Sequence, residues 1–385
     1  MSRVYDLIIL GAGASGLMAA AQINEQSDMS VLIIEGNKEA AKKIKISGGG
    51  KCNITNVDVS ANNYLGDIEL IENIFMQFSK EDLLAWLKAR GLEPVLRKER
   101  YYFCAQSADE IITLLKDAAS KSHYKYDHKI MAIKKEQHFS VKTDKGTFKG
   151  HRVLIATGAK SFASVGATDI GVELAQSLGH KSTPFLPALA GFTLQSSEAW
   201  MKALSGISFK AAVEVEGKRL QEDMLLTHRG LSGPVILSAS LYWSKGKIEI
   251  DFLADNSLEN IMKKSKKLFS TALPLPKRFS QALLEAVQIK DKPCDVYKAQ
   301  EMSQLKSAFH HYTFAPAGTY GFAQAEVCKG GVVTNELNPW TLESNIVEGL
   351  YFSGEVLDIT GELGGYNFQW AFSSAVVVAT NIINS

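Results

Sequence analysis

Residues Tyr5 to Glu35 read YDLIILGAGASGLMAAAQINEQSDMSVLIIE, and the fold turns on this stretch. Tyr5–Leu10 is a short apolar run suited to a buried parallel strand, and it stops at Gly11. Gly11, Gly13 and Gly16 then spell GxGxxG: the first permits a tight turn, the second lets a pyrophosphate approach the backbone, and the third packs helix against strand. The phosphates would meet the amides of a helix opening at Ala14 and Ser15, whose dipole favours an anion without a basic side chain. Val31–Ile34 supplies a second strand. Glu35 lies nineteen residues after Gly16, where an acid accepts both ribose hydroxyls and repels a 2′-phosphate; Gly36 follows it. A lone GxGxxG is weak evidence, but strand before, helix after and acid at this distance predict a nucleotide site.

The 385 residues suggest two or three domains, and 46% hydrophobic with 22% charged content is that of a globular chain. No apolar run is long enough to span a bilayer, and Met1–Asp6 lacks the pattern of a signal peptide, so a cytoplasmic enzyme is expected. A net charge of +1 gives no global argument for nucleic acid. Cys52, Cys104, Cys294 and Cys328 are far apart in sequence and form no CxxC, which predicts neither a zinc site nor a dithiol redox motif, and a disulfide framework is not expected. The eight histidines include no HExxH, and no metal is expected.

Lys38–Asn56 reads KEAAKKIKISGGGKCNITN. Three glycines in a row cost too much chain entropy to be filler, so the backbone should run close to a ligand there. Lys43, Ser47, Gly49, Gly50, Lys51, Cys52 and Asn53 are the candidates in this loop. Ile68–Arg90 has apolar residues at helical spacing and ends at Gly91, and Ala108–Lys121 forms another amphipathic helix. Lys129–Lys135, His138–Thr143 and Gly146–Gly150 read as a meander that begins near Ile130, a further candidate. Val153–Ala156 returns as a buried strand ending in Thr157–Gly158, a second place for backbone to touch the nucleotide.

After Gly179 the texture changes: Pro184 and Pro187 mark a crossing, and β-type runs follow at Phe192–Leu194, Phe209–Val215 and Lys247–Leu253. Between them MLLTHRGLSGPVILSAS, Met224–Ser240, reads as a polar turn leading into an apolar helix, which makes His228 and Arg229 candidates for a cavity rim. Asn256–His311 is helical in pattern, and ten Lys/Arg against six Asp/Glu from Asp255 to His310 include Lys263, Lys264, Lys266 and Lys267. Such a run is a solvated face or a polyanion site. Gly349–Phe352 is then a short strand carrying Gly354–Glu355 at its end, and Gly361–Asn367 leads into a long helix, Phe368–Ile383, apolar around most of its girth.

That closing segment, more than 300 residues from the glycine turn, chooses between NAD and FAD. It matches the plan of a two-halved FAD domain in which a late acid, Glu355 ahead of Asp358, binds the ribityl chain and the last helix aims its N-terminus at the flavin. The residues ISGGGKCNITN, LLTHRGLSGP and AEVCKGGVVTNELNPWTLESNIVEGLYFSGEVLDITGELGGYNFQWAFSS resemble a bacterial family of NAD(P)/FAD-dependent oxidoreductases of the aminoacetone-oxidase type, which includes members linked to bile-acid reduction. The similarity runs essentially end to end. It implies an α/β, glutathione-reductase-like FAD-binding Rossmann domain (1–185 and 318–385) interrupted by a β-barrel-like domain (186–254 and 311–317) that carries a small helical insert (255–310). Carried over by position, Gly11, Gly13, Gly16, Glu35, Gly49, Lys51, Asn53, Gly158, Gly354, Glu355, Gly365, Tyr366 and Asn367 would line FAD, and Ala156, Thr157, Asp358 and Gly364 join the candidates. VGATDIG, Val165–Gly171, departs from the family's Gly-Asp-Gly-Tyr.

The flavin would carry the chemistry. The leading expectation is a reductase: NAD(P)H, bound transiently because no second GxGxxG is present, reduces FAD, and hydride passes from flavin N5 to an activated unsaturated bond of a small molecule. Tyr366, then His228, then Cys52 are the candidate proton donors. The resemblance also implies a second reading, reduction of uridine to dihydrouridine in ribosomal RNA, and a third, an amine oxidase that releases hydrogen peroxide.

Overall fold

The computed structural model describes residues 3–162, 165–263 and 265–385. The chain divides into two units, Met1–Leu186 with Val327–Ser385, and Pro187–Glu326. The first is built on a parallel sheet. Strand β1 (Val4–Leu10) pairs with β2 (Val31–Ile34), which pairs with His123–Lys125; on its other side β1 pairs with Gly146–Ile155, all in parallel. Helix α1 (Ala14–Gln26) crosses from β1 to β2 as a parallel pair requires. Leu7–Leu10 and Val31–Ile34 are buried, the continuous apolar reading of strands covered on both faces.

Gly146–Ile155 is one strand where the sequence suggests two. Gly146–Gly150 completes the antiparallel meander with Phe139–Thr143, and Val153–Ile155 pairs in parallel with Leu350–Phe352. β1 runs beside both halves, so the backbone stays extended through Arg152. The late strand Leu350–Phe352 thus returns the chain to the sheet that it left at Ile155.

Helix α2 (Lys42–Ile46) leads through the glycine loop into β3 (Asn53–Asn56), which pairs with Tyr101–Phe103. The single helix expected over Ile68–Arg90 is two, α3 (Ile68–Gln77) and α4 (Lys80–Lys88). The break is written locally in Ser79-Lys80-Glu81-Asp82. Ser79 Oγ accepts the Asp82 amide at 3.2 Å, and the Asp82 carboxylate takes the Ser79 amide at 2.8 Å, a reciprocal cap that starts a new helix. Gly91, at φ +79°, ends α4 as its sequence suggests. The last helix, Tyr366–Asn384, begins two residues earlier than expected, which brings Tyr366 and Asn367 into its first turn. It is buried, yet not purely apolar. Thr55 Oγ1 donates to Gln369 Oε1 (2.6 Å), Gln369 Nε2 to Ser373 Oγ (2.9 Å), and Ser373 Oγ to the Phe78 carbonyl (2.9 Å), so its buried polar groups are paired.

The second unit is a seven-stranded antiparallel sheet in the order Tyr312–Phe314, Ile248–Asp251, Ser208–Val215, Lys218–Leu226, Gly230–Ser232, Phe192–Thr193, Gly318–Thr319. Its two edge strands follow one another in sequence. From Phe314 to Gly318 the chain reaches at most about 14 Å, whereas the edges of a flat seven-stranded sheet lie about 29 Å apart. The sheet therefore curls. Lys218–Leu226 is a strand that the sequence reading missed, its KRLQED portion being too polar to stand out. The short helices of 258–310 share this unit's core, with Phe279 against Phe209 and Phe252 at ring-centroid distances of 4.6 and 4.8 Å. Because Gly318–Thr319 pairs with Phe192–Thr193, the second unit keeps the chain to Glu326, past the return expected at 318.

Among the described residues no helix is long and apolar enough to cross a membrane. Ser79→Ala removes the cap of α4 and is expected to lower stability by about 1 kcal/mol, with Ser79→Gly costing a few tenths; the urea midpoint should move with an unchanged slope.

Candidate functional site

The three glycines of the opening turn do three different things. Gly11 sits at φ +102°, and a Cβ there would lie 2.6 Å from the Ala156 carbonyl oxygen. A Cβ on Gly16 would strike the Gly11 carbonyl, so α1 presses backbone to backbone on the end of β1. A Cβ on Gly13 would meet nothing within 4 Å, and the same holds at Gly36 and Gly49. Open space therefore follows the turn, the end of β2 and the glycine loop. The first turn of α1 has no side-chain cap and no acid, which leaves its amides to an anion. Glu35 is fixed beside it: Oε2 accepts the Ala12 amide at 2.8 Å, and Oε1 accepts the amide and side chain of Asn37 at 2.8 and 2.9 Å. Ile130 opens its strand two residues after His128, whose amide donates to the Glu35 carbonyl. These residues fit the adenosine and pyrophosphate end of a dinucleotide.

The remote closing segment meets this turn directly. Ser15 Oγ and Ser353 Oγ are 2.5 Å apart, and a Cβ on Gly354 would lie 3.1 Å from that of Ser15. Glu355 follows. Its carboxylate accepts Lys43 Nζ at 2.7 Å, the Cys328 amide at 3.1 Å and Ser161 Oγ at 3.4 Å, while Lys43 Nζ also donates to Ser161 Oγ at 2.6 Å. Gly158, at φ +69°, faces the same carboxylate: a Cβ there would be 3.8 Å from Glu355 Oε2. Burial, then the Glu355 carboxylate, push the Cys328 thiol up to about 11, so it stays protonated. Asp358 is occupied elsewhere. It accepts Thr183 Oγ1 at 2.7 Å and the Gly330 amide at 3.1 Å, tying together the two segments that lead out of and back into the first unit.

In the glycine loop Gly48, Gly49 and Gly50 have φ of +56°, +65° and +81°, conformations that side chains resist. The loop is pinned by Ala108 N to Gly50 O at 2.8 Å and by Ser47 Oγ to Ile44 O at 2.7 Å. Lys51 and Asn53 are half-buried, and Asn53 opens β3 opposite Phe103. Cys52 is buried, and its thiol contacts the Cys104 thiol and Ser47. Pairing of β3 with Tyr101–Phe103 brings these two cysteines, remote in sequence, together.

The N-terminus of the last helix completes the constellation. Gly365, at φ +91°, lies against the Thr55 backbone, and no side chain caps the helix. Asn56 Nδ2 donates to the Gly364 carbonyl at 2.9 Å, and Asn367 closes the preceding loop on both polar groups of Gly361 at 2.9 Å. Tyr366 stands in the first turn with its phenol hydrogen-bonded to Arg100. Burial raises its pKa and the Arg100 guanidinium opposes that rise. The Tyr64 ring meets Tyr366 edge-on, and the Tyr64 hydroxyl donates to the Tyr366 carbonyl at 2.8 Å.

Most candidate residues thus gather in the first unit. His228 does not belong to that group: it is exposed in the Thr227–Gly230 turn of the second unit, next to Arg229, whose guanidinium lies 4.6 Å from the Tyr320 ring. Lys263, Lys266 and Lys267 are exposed there too, and Lys264, like Met1 and Ser2, lies outside the described residues. Sequence reasoning missed Arg100, Cys104, Ser161 and Ser353. Only Ser353, beside Gly354, stood next to a recognised motif.

A family model described as "HI0933-like protein Rossmann domain" matches residues 5–381. The chain is 34% identical to the ribosomal RNA dihydrouridine synthase of Haemophilus influenzae, over 99% of each chain. It is 31% identical to the 3-dehydro-bile acid delta(4,6)-reductase of Clostridium scindens, over 95% of this chain and 96% of that one. In fold it is similar to a flavocytochrome c3 fumarate reductase in its open conformation, with a TM-score of 0.51 and 15% identity over 100% of this chain and 78% of that one. Gly13→Val places a side chain in the open space at an extended backbone position (φ −86°). The variant is expected to keep the circular dichroism of the parent and to bind FAD at least tenfold more weakly in a flavin titration, the factor that about 1.4 kcal/mol represents.

Proposed function

The chain belongs to the HI0933-like Rossmann-domain family and is an FAD-dependent oxidoreductase, and on that premise we propose that it reduces a C=C bond conjugated to a carbonyl with electrons from NADH or NADPH. FAD, when bound, supplies two-electron redox chemistry at its isoalloxazine ring. The first turn of α1 would hold its pyrophosphate, Glu35 its ribose, Glu355 with Lys43 its ribityl chain, and the segment Gly364–Asn367 its ring. The names of the relatives support the bond type. Uracil carries its C5=C6 bond in conjugation with a carbonyl, and a 3-oxo-Δ4,6 steroid does likewise.

The observation that carries the reading is Tyr366 beside Arg100 at an uncapped helix N-terminus. Reduction of a conjugated C=C needs a proton at one carbon. Burial keeps the Tyr366 phenol protonated through neutral pH, and the guanidinium and helix dipole stabilise the phenolate left after donation. Lys43 holds the Glu355 carboxylate in place while the neighbouring Cys328 thiol stays neutral.

Tyr366→Phe is expected to leave anaerobic bleaching of the flavin by NADPH intact and to slow its reoxidation by an enone about 10²–10⁴-fold. Because the phenol donates only while protonated and its pKa is raised, the parent's reoxidation rate should be flat through neutral pH and fall only above the ordinary tyrosine range near ~10. Equal rates in parent and variant would remove Tyr366 from the proton path. Absence of bleaching by either nicotinamide, with peroxide released from an amine, would replace the reductase by an oxidase.

A second reading of the substrate, uridine in ribosomal RNA, is favoured by the name of the Haemophilus influenzae relative and by the exposed Lys263, Lys266 and Lys267. It requires dihydrouridine in ribosomal RNA from cells with the gene and none from cells without it, read by mass spectrometry of nucleosides. It also requires RNA binding that weakens with salt and with Lys→Glu changes at those positions.

A further inference from the structure

Cys52 and Cys104 are remote in sequence and belong to no cysteine motif, yet one immediately precedes and the other immediately follows two adjacent strands. β3 pairs antiparallel with Tyr101–Phe103, with Asn53 opposite Phe103, so the two cysteines face one another one position beyond. The Cys104 amide donates to the Lys51 carbonyl at 3.0 Å and to the Cys52 carbonyl at 3.4 Å, which extends the contact past the last pair. Both are free thiols and both are fully buried. Cross-strand neighbours lie roughly 4.5–5.5 Å apart between Cα atoms, inside the range of about 4.4–6.8 Å that a disulfide spans.

We propose that Cys52 and Cys104 are a redox-active dithiol that hydrogen peroxide converts to a disulfide, stapling the glycine loop Gly48–Asn53 to the segment Cys104–Ala108. The two sulfurs do not compete for one role. The thiol–thiol hydrogen bond holds the Cys104 pKa down and pushes that of Cys52 up, so Cys104 is the more readily ionised of the two and Cys52 its proton-bearing partner. The Cys104 thiolate attacks one peroxide oxygen; the O–O bond breaks, hydroxide leaves and takes up a proton as water, and Cys104 becomes a sulfenic acid. The Cys52 sulfur, its proton released, then attacks the Cys104 sulfur; the S–O bond breaks, the disulfide forms and a second water leaves. Two thiols lose two electrons, and one peroxide gains them.

Burial selects the oxidant. Peroxide is little larger than water, whereas glutathione disulfide must bring a peptide to the sulfur it exchanges with. The staple would act on a loop already held by its neighbours, with Gly50 bonded to Ala108 and Gly48 so close to Phe103 that a Cβ placed on it would lie 3.0 Å from the ring. The inference stands apart from the proposed reaction, since it concerns only these two sulfurs.

The test is thiol counting on the purified flavoprotein. After peroxide, acid quench, unfolding and alkylation, the four thiols should fall to two, with Cys294 and Cys328 still alkylated. A cross-linked peptide pair containing Cys52 and Cys104 should appear without reductant and vanish with dithiothreitol, and glutathione disulfide should not produce it. Cys104→Ser and Cys52→Ala should each abolish the cross-link. The idea is overturned if peroxide leaves four thiols, if either cysteine is driven to sulfinic acid without a cross-link, or if Cys104→Ser loses two thiols as the parent does.

Discussion

Helix α1 can lie where it does only because glycines leave room for it at two points. At Gly16 it touches the carbonyl of Gly11, and at Gly354 the closing segment comes up against Ser15. A methyl on Gly16 would drive into the Gly11 carbonyl and push the helix off the strand end, and one on Gly354 would crowd Ser15 beside its hydrogen bond to Ser353. That approach brings the first and last parts of the unit into register. From it follow the nearness of Glu355 to the glycine turn and the open lane past Gly13. The cost of three flexible glycines is set against a site that needs hardly any basic side chains, because helix amides supply the positive potential.

Glu355 carries a second constraint. A half-buried carboxylate needs partners, and it has an ammonium, a hydroxyl and a backbone amide, contributed by α2, the segment after Gly158, and the strand containing Cys328. Three separate stretches thus converge on one acid. The arrangement fixes the acid's position and leaves its charge neutralised by Lys43. Asp358, three residues on, has the same chemistry and a different duty: with Thr183 and Gly330 it clasps the chain at the point where it leaves the first unit and returns.

Much of this was legible. The turn at Gly11, the gap at Gly13, the contact at Gly16 and the strand end before Glu35 were legible because they are local and follow one another within a single βαβ unit. The break at Ser79 was also written in four adjacent residues, and it was hidden by the apolar periodicity running through Phe78, a pattern that does not distinguish one helix from two in line. The union of Gly146–Gly150 with Val153–Ile155 was not legible, since a strand's continuity there depends on β1 beside it. Arg100 and Cys104 lay deeper still. Each owes its place to a pairing of β3 with a strand almost fifty residues later, and nothing within either segment signals the other.

The long strand Gly146–Ile155 has a consequence for how the molecule is made. Its apolar end, Val153–Ile155, lacks its parallel neighbour until Leu350–Phe352 arrives. About 195 residues of chain intervene, which at ribosomal rates near 5–20 residues per second is a delay of roughly 10–40 s. Throughout that interval the nascent sheet carries a bare hydrophobic edge, the kind that invites pairing between chains. The intervening unit, with its own core, has time to collapse first, so the order of synthesis makes the inserted module a finished body before the surrounding sheet is sealed.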